Sequence, residues 1–143
     1  LMSDKLLGNP QSAGIYFLPA TRRSAIEQSA GELHYRPRHL EIAPGMNINS
    51  VLARIGEVLR FPDWYGANFD ALHDCLTDPE CLPGKGHVLM VSGCEHLLTS
   101  APDDLATLLE VLAAAIDDLR ETGVSLWVLL DQKTQGVAKL PVK

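Results

Sequence analysis

The stretch SAPDDLATLLEVLAAAIDDLRETGVSLWVLL, residues 100–130, decides the fold class. Leu105, Leu108, Leu109, Leu112, Ile116 and Leu119 recur at the 3.6-residue period, so they form one apolar stripe of an amphipathic helix. Ser100-Ala-Pro-Asp103 reads as its start: the serine hydroxyl as cap, with a carboxylate in the first turn, where the helix dipole favours it. Gly123 supplies the stop. From Val124 to Leu130 the run is apolar but for Ser125, which is the pattern of a strand covered on both faces, as strands in parallel sheets are. A helix followed at once by a fully buried strand points to an α/β domain.

Upstream the same alternation repeats. Gly14 to Leu18 reads as a strand and Thr21 to Gly31 as a helix. Residues 33–42, LHYRPRHLEI, partly alternate and suggest a strand that starts after Pro37 or runs at a sheet edge. Ile48, Leu52, Ile55 and Leu59 recur at helical spacing behind Asn47 or Asn49 as cap, and Phe61-Pro62 stops that helix. Asn68 can cap another, with Phe69, Leu72 and Leu76 on one side and Asp70, Asp74 and Thr77 on the opposite one, ended at Asp78-Pro79. Residues 79–86 form a loop, His87 to Val91 a strand, and Glu95 to Thr99 a short helix. Residues 1–12 are expected to fray. The whole describes a small parallel sheet packed with helices, within the size of one domain of 143 residues.

The charge of −6 is unevenly spread. Residues 1–60 hold 7 basic and 5 acidic side chains, and residues 132–143 hold three lysines and no acid. Residues 61–131 hold 13 acids against Lys85 and Arg120 alone, a balance that argues against nucleic acid as the direct ligand and allows a basic protein instead. The longest clean apolar run, Val111 to Ile116, is far short of a membrane span. Three cysteines, Cys75, Cys81 and Cys94, cannot pair completely within one chain, and the first residues carry no signal-peptide pattern; the expectation is reduced thiols in the cytoplasm.

The densest chemistry lies in residues 61–77, where Trp64 and Tyr65 precede Gly66 and a helix with two carboxylates one turn apart. Four uses of Asp70 and Asp74 stay open. As a glycosidase pair they would need a sugar-sized cleft, yet both sit on one short helix. As metal ligands they would need further donors, and His73 points away from them. They can form a plain solvated helix face. As a recognition patch, the acids would meet Arg or Lys of a basic protein while the loop aromatics anchor. His73, Cys75, Cys81, His87, Cys94 and His96 lie within 24 residues but show no metal-ligand spacing, and nothing marks an oxyanion hole for a Cys–His nucleophile. Asp117 and Asp118 read as a solvent-facing pair. No catalytic residue, metal or cofactor is assigned.

The run FPDWYGANFDALHDCLTD, residues 61–78, resembles the barstar family of barnase-type ribonuclease inhibitors: a Pro, an acid, two aromatics, then Gly-x-Asn-x-Asp-Ala-Leu-x-Asp-Cys-Leu. The order of elements downstream fits as well, and the resemblance covers about residues 40–131. It implies a barstar-like α/β fold, with an N-terminal extension over about residues 1–32 that adds a strand and a helix, and a flexible tail over about 132–143. It implies a non-enzymatic inhibitor, monomeric when free, that blocks the active site of a basic ribonuclease. Trp64, Gly66, Asn68, Asp70, Asp74 and Thr77 fall on the family's binding loop and helix, with Asp74 in the deepest role and Asp70 supporting it. Asp118 falls, by gapless counting from Gly123, where the family has a further acidic contact. His73 replaces an aromatic residue of the family's founding member between the two aspartates. The alternative reading is a barstar-fold interaction module for another basic protein.

Overall fold

In the computed structural model, which describes residues 6–141, every residue of Ser125–Leu130 (β4) is buried. This is the central strand of a five-stranded, wholly parallel sheet. Its neighbours are Gly86–Ser92 (β3) and Ile15–Phe17 (β1), in registers that set Leu89 and Ile15 beside Val128. The edges are Pro37–Glu41 (β2), paired with β3, and Ala138–Lys139 (β5), paired with β1. Pro37 opens an edge strand, where the absent N–H costs no ladder bond.

The helices are Arg23–Glu32 (α1), led in by a 3₁₀ turn at Ala20–Arg22, then Ile48–Leu59 (α2), Phe69–Thr77 (α3), Cys94–Ser100 (α4) and Pro102–Glu121 (α5). The chain crosses the sheet from β1 to the far edge and then steps back through β3 to β4, so right-handed crossovers place α1 on the face opposite α2 and α5. On one face Leu40, Leu89 and Val128 meet Ile55 of α2 and Leu105, Leu108 and Leu112 of α5. On the other, Trp127 stacks against Tyr16 with ring centres 5.8 Å apart, and His39 meets Arg23 and Glu27 of α1. Covering both faces is why β4 reads as an almost unbroken apolar run.

Three expectations are corrected. Ser100 does not cap α5: it ends α4, and Ala101 takes the cap position with no side-chain bond. Pro102 at the first helical position has no N–H to satisfy, and Asp103 and Asp104 occupy the first turn, which relieves the need for a cap. Residues 6–12 do not fray; Leu6 and Leu7 are buried, and the Trp127 indole donates to the Leu7 carbonyl at 3.0 Å. Residues 1–5 lie outside the described part. The segment from 132, expected to trail as a tail, contributes β5 and the buried Leu140, and the Arg22 guanidinium donates to the carbonyls of Leu140 and Pro141. The charges of that segment mask a two-residue strand too short to show a period. Among the described residues no helix is long and apolar enough to cross a membrane.

Candidate functional site

The site is built from the end of α2, the loop 61–68 and α3. Asn47 caps α2 by accepting from the Ser50 N–H at 2.9 Å, and Arg60, with φ 58°, turns the chain out of the helix. The loop is then held by one side chain. The Tyr65 ring lies on Gly56 of α2, meets Phe61 edge-on at 5.0 Å, and its hydroxyl donates to the Leu52 carbonyl at 2.9 Å. A Cβ at Gly56 would stand 2.6 Å from that ring, so only glycine leaves room for it. Burial raises the Tyr65 phenol to about 12, with the Cys75 thiol a smaller cause. Tyr65 is therefore a staple, and its neighbour Trp64 turns the other way: 63% exposed, it is the exposed large hydrophobic side chain of the described residues.

Gly66 folds the loop over the start of α3; a Cβ there would lie 3.2 Å from the Asn68 amide nitrogen. Ala67 takes φ 52°, a left-handed conformation that a non-glycine residue holds only when its surroundings impose it. Asn68 then caps α3, its side-chain oxygen accepting from the Ala71 N–H at 2.8 Å. Leu72, Cys75 and Leu76 are buried, which turns Asp70 and Asp74 to solvent. Thr77 does not extend the acidic row as a free hydroxyl: its Oγ1 donates to the His73 carbonyl at 2.8 Å. His73 reaches across to α5, where Nε2 lies 2.9 Å from Asp118 Oδ2. Asp117, next to it, pairs with Arg120 at 2.6 Å.

The structure thus brings His73 of α3 to Asp118 of α5, leaves Asp70 and Asp74 exposed on α3, and places Trp64, Gly66 and Asn68 on the loop that leads into that helix. Sequence reasoning missed two relations. The Gly56–Tyr65 socket had a signal, since glycine inside a helix costs about 1 kcal/mol relative to alanine and usually has a packing reason. The His73–Asp118 contact had none, because the two residues are 45 positions apart and meet only through helix packing.

Chemically, the arrangement offers carboxylates and an aromatic ring on an open surface. Two cavities, of about 430 and 600 Å³, lie elsewhere, and neither Asp70 nor Asp74 lines them. Cys75, Cys81 and Cys94 are free and buried, and burial raises all three thiols, Cys81 and Cys94 to about 12, which suppresses the nucleophilic thiolate. Among the described residues no three His, Cys, Asp or Glu side chains come together to hold a metal ion.

The model of the family described as Barstar (barnase inhibitor) matches residues 35–131, which is more than half of the chain and includes the whole of the loop and α3. The chain belongs to that family. Its first strand and helix, and the segment carrying β5, lie outside the matched span. No curated protein matches the chain. Among solved structures, the chain resembles that of the Aeropyrum pernix ORC2 protein in ADPNP–ADP complexes, with a TM-score of 0.59 and 15% identity over 96% of this chain. The chain spans 39% of that protein's length, and at this identity the likeness speaks for the fold alone.

Proposed function

We propose that this protein is an intracellular inhibitor, without catalytic activity of its own, that binds a basic ribonuclease and covers its active site. The observation that carries the reading is the exposed carboxylate row of α3, Asp70 and Asp74, behind a rigidly stapled loop that presents Trp64, in a chain that belongs to the barnase-inhibitor family. Like charges a turn apart weaken an isolated helix by about 0.2–0.5 kcal/mol. A cationic active site offsets that cost, because ribonucleases hold the substrate phosphate with basic side chains that a carboxylate can engage instead. Asp74, near the middle of α3, takes the deepest position; Asp70 supports it; Asp118, oriented by His73, adds a contact from α5. His73 gives this face a polar link where the founding family member has an aromatic. The three buried free thiols suit a reducing compartment, so the proposal places the protein in the cytoplasm, monomeric when free.

The test is inhibition of a panel of barnase-type ribonucleases, titrated with wild type and Asp74→Ala at two ionic strengths. Losing one member of a buried, hydrogen-bonded interfacial charge pair costs about 2–5 kcal/mol, so inhibition by the variant should weaken by roughly thirtyfold or more. Association by the wild type should slow as salt is added. Equal inhibition by both proteins sinks the assignment.

A further inference from the structure

The geometry points to a second binding site, at the opposite charge extreme of the molecule, for a phosphate-bearing small molecule. At the amino ends of β2 and β3 lies a cavity of about 600 Å³, within the size range of small-molecule sites. It is walled by the connection before β2, the end of α2 and the loop before β3. Arg36, Arg38, Arg60 and Lys85 all line it, and Glu80 is the one carboxylate that does. This gathers four of the chain's 12 basic residues in a protein of net charge −6.

Arg38 has an internal partner, donating to the Val58 carbonyl at 2.8 Å near the end of α2. No hydrogen bond or ion pair engages the side chains of Arg36, Arg60 or Lys85 among the described residues. Burial first, then the Arg36 and Arg60 charges, lower the Arg38 pKa, so these guanidinium groups repel one another. On the same wall His87 holds Nε2 buried without a hydrogen-bond partner. Four cations brought together against a single carboxylate call for a multivalent anion, and the guanidinium fork matches phosphoryl oxygens two at a time. Part of the wall is apolar: the Tyr35 ring lies over Gly86, where a Cβ would stand 2.0 Å from it, and Leu33, Leu59 and Leu82 also line the cavity. A bare polyphosphate and a nucleotide share the required chemistry; the apolar wall has a use only for the nucleotide. This inference stands apart from the ribonuclease reading: Leu59 and Arg60 border the loop 61–68, but none of these residues carries a contact proposed for the ribonuclease.

The experiment is calorimetric titration of the full chain with pyrophosphate, with guanosine 5′-diphosphate and with guanosine. Saturable one-to-one binding of a phosphate compound and none of guanosine is the expected result. Pyrophosphate binding as tightly as the diphosphate assigns the site to the phosphate alone; tighter binding of the nucleotide brings in the Tyr35 wall. Arg36→Gln and Arg60→Gln, at exposed side chains without partners among the described residues, should each weaken binding about tenfold, while Asp74→Ala leaves it unchanged. Absence of binding by both phosphate compounds up to roughly 10 mM, or an Arg36→Gln/Arg60→Gln double variant that binds like wild type, overturns the proposal.

Discussion

Replacing Gly56 by alanine tests whether the binding loop is held as described, because two effects of opposite sign compete. Alanine is the better helix former by about 1 kcal/mol, so the intrinsic expectation for an interior helix position is stabilisation. The structure reverses the sign. The new Cβ would lie 2.6 Å from two atoms of the Tyr65 ring, closer than a carbon contact allows. Either α2 shifts or the ring leaves its seat. Overpacking of this kind costs about 1–3 kcal/mol. A displaced ring also loses the hydroxyl bond to the Leu52 carbonyl, worth about 1 kcal/mol, and its edge contact with Phe61. Subtracting the helix gain leaves a net destabilisation of about 1–3 kcal/mol, which for a chain of this length lowers Tm by roughly 3–10 °C. Urea denaturation of Gly56→Ala, Tyr65→Ala and the double variant measures it. In the Tyr65→Ala background the clash is gone, and Gly56→Ala should be neutral or stabilising by up to about 1 kcal/mol. A single variant more stable than wild type, or the same cost in both backgrounds, would refute the socket and with it the account of how Trp64 is presented.

Three further outcomes follow from particular contacts. Trp64→Ala should change stability by less than about 0.5 kcal/mol, since the ring is exposed, yet weaken ribonuclease inhibition by about 2 kcal/mol, as loss of an interfacial tryptophan anchor does; paired denaturation and inhibition curves separate the two. Leu140→Ala should cost about 2–4 kcal/mol in a denaturation experiment, because the side chain is 2% exposed beside β5, whereas a residue in a loose tail would cost nothing. His87 has its pKa lowered, chiefly by burial and further by Arg38, against an opposing backbone bond at Gly84. Its contribution to stability is therefore present above the unfolded value near 6.5 and is lost as the pH falls from there through the folded value. Chemical denaturation should show this decline below about pH 6.5, and it should shrink in His87→Gln.

The alternation of helix and strand was legible because burial on one face or two leaves a period in the residues themselves. The stripe from Leu105 to Leu119 and the run from Val124 to Leu130 could hardly fold otherwise, and Asn47 and Asn68 cap the helices that their positions predict. Local chemistry failed where a short element leans on distant ones. Ser100 looks like a cap in isolation but belongs to the preceding helix, and Ala138 and Lys139 form a strand only because the edge of β1 is there to receive them.

The sequence by itself determined the element types, the outward turn of Asp70 and Asp74, and the resemblance in residues 61–78, all of which depend on neighbours within about a turn of helix. Tertiary structure alone decided the order of the strands, the burial of Leu6 and Leu7, the split between an anchored Tyr65 and an exposed Trp64, and the meeting of His73 with Asp118. It also collected Arg36, Arg60 and Lys85 around one cavity. The physical reason is the range of the interactions. Periodicity and capping act over three or four residues and are written into their order, whereas packing and charge act through space between segments whose separation along the chain carries no trace of their contact.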